Sequence, residues 1–330
     1  MNSAAEMFAL WGDAVCRSEV PPQDHDQNAI SLLPAPSQDP WIIRHGNRYY
    51  FSESKGNGIA IRETGDFMDL ARAKQQVVWK APPTGPYSRN IWAPELHVLQ
   101  GRWYLYFAAD DGRNENHRMW VTRSETDSPF GPYGEATTLE TGGWAIDGTI
   151  LQSGDELYLF WSGWPGTRDG RQNLYGARMA NPMTVSSPRV LVAEPTEAWE
   201  QHVMPLCEGP QFLHGERKLF LVYSASASWT RHYCLGMLVN TGGNILDPAA
   251  WRKVGPVFEP TDSVWGVGHC SFVTSNDGKE NWIFYHAKTS PDDGWDDRSV
   301  RAQRFVWTAG GLPDFGKPLS IRGGRNKSRR

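Results

Sequence analysis

Asp147 to Gly163 reads DGTILQSGDELYLFWSG: an acid, a short apolar run, a turn around Gly154, and a second apolar and aromatic run. Two runs of strand composition joined by a glycine turn are the signature of a β-hairpin. The same pattern occurs four more times, as DPWIIRHGNRYYFSES from Asp39, APELHVLQGRWYLYFAA from Ala93, EGPQFLHGERKLFLVYSAS from Glu208 and GHCSFVTSNDGKENWIFYHA from Gly268. Gly46, Gly154 and Gly215 each follow their leading acid by seven residues, Gly101 follows Glu95 by six, and the fifth unit turns on Asn276-Asp277-Gly278. The leading residues are Asp39, Glu95, Asp147, Glu208 and His269, spaced 56, 52, 61 and 61 apart. That spacing leaves room for two further strands per unit, such as those at Ile59, Met119, Leu174 and Tyr233. Repeats of this length with four short strands predict an all-β fold, a five-bladed β-propeller of four-stranded antiparallel blades. We expect it to span residues 31–322, with an N-terminal extension over 1–30 and a basic tail over 323–330.

The rest of the composition agrees. The chain has 330 residues with 33 Gly, 23 Pro and 16 Trp, which means many turns and a large aromatic supply. Net charge is −4 without a basic stripe, so neither nucleic acid nor an anionic membrane is an expected partner. No stretch approaches the length of a membrane span, and the first residues lack the basic start of a secretory leader. The expectation is a cytoplasmic protein, or a secreted one whose leader has been removed. The four cysteines, at 16, 207, 234 and 270, form no CxxC pair and no disulfide framework. Cys207 and Cys270 read as small buried fillers. Oligomeric state stays open.

In a propeller the first strand of each blade lines the central axis, so four carboxylates and a histidine are expected around one axial pocket. Carboxylates brought together push their pKa values apart, because a second charge beside the first is costly. Glycoside hydrolysis needs such a pair: one carboxyl protonated to donate to the leaving oxygen, another ionised to activate water or to attack. The two stand about 6.5–9.5 Å apart in inverting enzymes and about 5–5.5 Å in retaining ones.

At this point the motifs resemble glycoside hydrolase family 43, the five-bladed propellers of arabinofuranosidases, β-xylosidases and arabinanases. The resemblance rests on QDPWII around Asp39, NIWAPEL around Glu95, AIDGTIL around Asp147, CEGPQFL around Glu208 and GVGHCSF around His269. YSASASWTRHYCLG from Tyr223 and RSVRAQRFVW from Arg298 look like the exo-α-L-arabinofuranosidase branch. The resemblance implies Asp39 as general base, Glu208 as general acid, and Asp147 as the carboxylate that orients Glu208 and raises its pKa by its charge. It implies Arg301 as the arginine that binds sugar hydroxyls. His269 would help hold a hydrated calcium or other cation on the axis. The family's usual GPGHN is here Gly266-Val267-Gly268-His269-Cys270, and a buried structural histidine stands beside the cation reading. No cofactor is required for the chemistry. Trp92 and Trp164 are the favoured sugar contacts, Glu95 is read as a hydrogen-bonding wall residue, and DDGWDDRS from Asp292 as an exposed turn. The implied substrate is an arabinose- or xylose-containing saccharide from which terminal arabinofuranose is released. A β-xylosidase or bifunctional xylosidase/arabinofuranosidase is the first alternative, and an endo-arabinanase or a non-catalytic sugar-binding propeller the further ones. Ile146-Asp147-Gly148 replaces the RDP of invertase-like retaining propellers and argues against that class.

Overall fold

The structure, a computed structural model, describes residues 28–321. The expected extension, apart from residues 28–30, and the basic tail lie outside that range.

Each hairpin of the sequence repeat forms the two inner strands of one blade. The innermost strands are Trp41–His45, Arg89–Leu99, Ala145–Ser153, Cys207–His214 and Trp265–Thr274. Each packs against the next, and the fifth packs against the first, which closes a ring. The third strands, Gly58–Thr64, Arg118–Arg123, Asn173–Asn181 and Cys234–Asn240, fall where the sequence placed them. Arg298–Trp307 is the third strand of blade five. The fold is thus a five-bladed propeller of antiparallel four-stranded sheets, with extra short strands at the rim of two of them.

Blade five takes its outermost strand from the other end of the chain. Ile30–Leu33 pairs antiparallel with Arg298–Trp307, in the register Ile30 with Ala302 and Ser31 with Arg301. Joining the two ends of the chain in one sheet gives the ring a hydrogen-bonded closure in place of an open seam.

The core is five wedges, one between each pair of neighbouring blades. Tyr106 and Met119 of blade two pack on Trp161 and Ala177 of blade three. Phe160 of blade three meets Leu221 and Tyr223 of blade four, and Val222 of blade four meets Ile283 and Tyr285 of blade five. Phe284 of blade five meets Phe51 of blade one, and Trp79 of blade one meets Phe107 of blade two. A strand buried on both faces cannot alternate apolar with polar, which explains near-continuous apolar runs such as LYLFW at Leu157. Full burial of each large side chain contributes about 1.5–3 kcal/mol. The wedges bury the blade faces and leave the axis to polar groups. Helix among the described residues is limited to short 3₁₀ turns such as Phe67–Arg72, and none is long and apolar enough to cross a membrane.

Candidate active site

One backbone feature recurs where each blade opens onto the axis. Asp39, Ala93, Asp147, Gly209 and His269 all have left-handed φ, between 42° and 56°. In blades two to five the hairpin register shifts at this point, between Trp92 and Glu95, Ile146 and Thr149, Glu208 and Gln211, and Gly268 and Ser271. A bulge of this kind inserts a residue and re-aims its side chain. Non-glycine residues at positive φ cost energy and persist where surrounding structure holds them, often at functional sites.

This register corrects the equivalence drawn from sequence. The matching positions are 39, 93, 147, 209 and 269. Glu95 lies two residues further along its strand and Glu208 one residue before its bulge. Glu95 lies below the opening, where its Oε1 accepts from Gln211 Nε2 and its Oε2 lies 2.8 Å from His97 Nε2. Glu208 stands at the mouth because Gly209 takes the left-handed conformation in its place; a Cβ there would lie 3.2 Å from His269 Nδ1.

The structure brings Asp39, Asp147, Glu208 and His269 together in one cavity of about 660 Å³, with Trp92, Trp144, Trp229, Trp295 and Arg298 on its walls. A larger cavity of about 910 Å³ opens at the far ends of the innermost strands, around Ile43, Leu213 and Thr274, and contains none of the three acids.

The acids are in different environments. Asp39 is 21% exposed at its side chain, against 7% for Asp147. Glu208 is 7% exposed as a residue. Three cationic or imidazole groups converge on Asp39 Oδ1: His286 Nδ1 at 3.3 Å, His269 Nδ1 at 3.5 Å and Arg298 Nη1 at 3.5 Å. Burial alone would raise the Asp39 pKa, but His269, Arg298 and His286 outweigh it and hold the carboxyl well below the usual range. Glu208 goes the other way. Burial pushes it up to about 7, with the Asp39 charge adding to the rise and the Tyr233 hydroxyl, 2.7 Å from Oε1, opposing it. Asp147 is raised well above the usual range by burial first, then by the charges of Glu208 and Asp39, against one hydrogen bond from the Gly209 N–H at 3.1 Å. The resemblance implied that the Asp147 charge raises Glu208. Here burial leads for both Glu208 and Asp147. His269 is pushed down by burial, against the pull of the Asp39 charge.

Two sequence-based contacts lie elsewhere. Trp164 is 3% exposed and is stacked on Trp144 at 4.6 Å and 8°, so Trp144 forms the wall and Trp164 backs it. Arg301 is also buried away from the cavity, with Nε donating to Ser299 Oγ and Nη2 to the Lys288 carbonyl. Arg298 is the guanidinium at the acids. The two differ by three positions, and an odd offset on a strand points side chains to opposite faces. Trp92 does reach the cavity, 40% exposed and stacked on His117 at 4.1 Å. The DDGWDDRS segment, read as an exposed turn, supplies Trp295 and Arg298 to the site. Its Trp295 ring meets Trp229 edge-on at 5.5 Å. The signal available in sequence was the aromatic and arginine content of that turn.

Among the described residues no three His, Cys, Asp or Glu side chains are grouped to ligate a metal. His269 Nδ1 faces Asp39 and, at 3.9 Å, Asp147. These residues do not form a direct ligand set for the implied cation, and no step below passes through one. Cys207, Cys234 and Cys270 are buried free thiols.

The sequence model of Glycosyl hydrolases family 43 matches residues 30–313. An extracellular exo-alpha-(1->5)-L-arabinofuranosidase of Streptomyces avermitilis is 33% identical over 86% of this chain and 62% of its own length. The enzyme of the same name from Streptomyces chartreusis is 36% identical over 76% of this chain and 79% of its own length. The chain thus spans under two thirds of the first of these relatives. The crystal structure of an alpha-L-arabinofuranosidase from Lactobacillus brevis superimposes with a TM-score of 0.82 at 32% identity, covering 90% of this chain and 97% of that one. A propeller whose axial cavity gathers Asp39, Asp147 and Glu208, and whose sequence matches the family from the closing strand to the last blade, belongs to glycosyl hydrolases family 43.

Proposed function

We propose that the chain is an inverting exo-α-L-arabinofuranosidase that releases terminal arabinofuranose from arabinan- or arabinoxylan-type saccharides. The observation that carries this is the opposite electrostatics of Asp39 and Glu208 within one cavity. Asp39, ionised and the most exposed of the three acids, takes a proton from a water molecule as that water attacks the anomeric carbon. Glu208, protonated, gives its proton to the glycosidic oxygen as the C–O bond breaks. Asp147 orients the acid's segment through the Gly209 N–H. Arg298 holds Asp39 and is placed to meet sugar hydroxyls, the role expected of Arg301. Trp92, Trp144, Trp229 and Trp295 present ring faces and edges to the apolar C–H surfaces of sugar. This mechanism uses no cofactor; a cation near His269 would have to be held through water.

The relatives' names favour arabinofuranosidase over the alternatives. A probable arabinan endo-1,5-alpha-L-arabinosidase C of Aspergillus niger matches only 46% of the chain, and a solved xylan beta-1,4-xylosidase of Bacillus halodurans is 17% identical and shares the fold. The word extracellular in both Streptomyces names favours the secreted of the two compartments considered.

Proton NMR of freshly mixed enzyme and α-1,5-linked arabino-oligosaccharide tests the proposal. Arabinose appearing first as the β-anomer, from the chain end only, is the expected result. The α-anomer first, xylose release instead, or internal cleavage products would overturn it.

The pH profile provides a separate check. The acid must be protonated, so activity falls as pH rises through about 7, where Glu208 titrates. The base must be ionised, and with Asp39 held low no acid limb from it is expected above about pH 4. An alkaline limb beyond about pH 9 would contradict the acid assignment.

A further inference from the structure

Behind the acids lie two buried rings that the mechanism above does not use. Tyr233 is 0% exposed and His286 is 1% exposed. Tyr233 precedes the third strand of blade four, and His286 lies on the second strand of blade five, Asn281–Lys288. Their rings are parallel to within 8°, with centroids 5.5 Å apart. The Tyr233 hydroxyl donates to Glu208 Oε1 at 2.7 Å. His286 Nδ1 lies 3.2 Å from the backbone N of Asp39 and 3.3 Å from its Oδ1. Two stacked rings therefore run from the acid to the base.

The stack has little freedom. A Cβ at Gly268 would lie 2.2 Å from Tyr233 Cε1 and 2.4 Å from Cδ1, so the tyrosine ring lies against the backbone of the innermost strand of blade five. Gly268 is in turn the cross-strand partner of His286. Glycine at 268 is what lets a blade-four ring seat on blade five.

We propose that Tyr233 and His286 are positioning residues: their stacked rings set the separation between Glu208 and Asp39 and choose which oxygen of each carboxyl does the chemistry. Tyr233 occupies Oε1 of Glu208, which leaves the acidic proton on Oε2 for the leaving oxygen. His286 Nδ1 accepts from the Asp39 backbone N–H and fixes that residue's backbone, while His269 and Arg298 face Oδ1 of Asp39, which leaves Oδ2 for water. An inverting pair must stay about 6.5–9.5 Å apart to admit that water. Carboxylate side chains turn freely about their terminal torsions, whereas two packed rings do not shorten. The groups facing Glu208 are Tyr233, Ser228, Asp147, Asp39 and Arg298, and of these Tyr233 alone contributes a fixed hydroxyl from the stack.

The inference rests on the proposed hydrolase reading, and the experiment separates the two. Wild type, Tyr233→Phe and His286→Phe, all as the full chain, are assayed on arabinotriose and on 4-nitrophenyl α-L-arabinofuranoside, with pH profiles and thermal melting. Tyr233→Phe keeps the ring and loses only the hydroxyl. Its kcat on arabinotriose should fall about 10- to 100-fold, with a smaller loss on the nitrophenyl substrate and KM within about twofold. Its alkaline limb should rise by about one pH unit, because a bond that favours ionised Glu208 is gone. His286→Phe should lower kcat on both substrates alike, since the base is disturbed. A change in melting temperature with an unmoved limb and no dependence on leaving group overturns the positioning role, and Tyr233→Phe decides alone if His286→Phe does not fold. An active wild type with unaltered Tyr233→Phe kinetics sinks this proposal only, whereas a wild type that releases no arabinose sinks the hydrolase reading and this proposal with it.

Discussion

Glu208→Ala should lower kcat on natural arabino-oligosaccharides by about 10²- to 10⁴-fold, while costing about tenfold or less on substrates with good aryl leaving groups. The difference follows from what Glu208 supplies. A sugar alkoxide is a poor leaving group and must be protonated as the bond breaks, whereas a nitrophenolate leaves unassisted. Glu208 suits this role because burial keeps it protonated up to about pH 7. The alanine variant should also lose the alkaline limb on the aryl substrate, since no other group at the leaving oxygen titrates there. Steady-state kinetics on both substrates decide it: equal losses on the two would remove Glu208 from the acid role.

Asp39→Ala should reduce both activities by about a thousandfold, with no preference between leaving groups. Water attack is needed whatever leaves, and Asp39, the least buried of the three acids and held well below the usual carboxylate range, is the acid proposed to accept its proton. The substitution also strips Arg298, His269 and His286 of the carboxylate on which they converge. KM should rise as well, because Arg298 loses its anchor at the pocket wall. Substantial activity retained on the aryl substrate, measured at saturating concentration, would show that another group activates water. Read together, the two variants separate protonation from water activation, which neither does alone.

Much of this was legible in the chain. The hairpins from Asp39, Glu208 and Asp147 appear as alternating apolar and aromatic runs around Gly46, Gly215 and Gly154, because a strand pair and its turn are specified by residues a few positions apart. Four acids and a histidine could be placed near one axis because each leads a repeat unit, and the family resemblance singled out Asp39, Asp147 and Glu208 among them. Closure was less legible. The partner of the last blade is Ile30–Leu33, about 270 residues away, and a four-residue strand carries little pattern of its own.

Which side chain faces the axis was not legible at all in two units. A one-residue bulge exchanges the faces of a strand, so Glu95 drops to hydrogen-bond Gln211 while Glu208 rises to the mouth, although both lead their motifs. The same period of two separates Arg298 from Arg301. Trp144 displaced Trp164 at the wall through a stacking contact that no local pattern announces.

Composition and periodicity alone determined that there are five hairpin units, each led by an acid or a histidine, since these are encoded over short stretches and repeated, and the motifs' resemblance to the family picked Asp39, Asp147 and Glu208 from among them. Tertiary structure alone decided the opposite pKa shifts of Asp39 and Glu208, the guanidinium between 298 and 301, and the Tyr233–His286 stack. Those depend on burial and on distances of a few ångströms between residues from different blades, which exist only once the ring has closed.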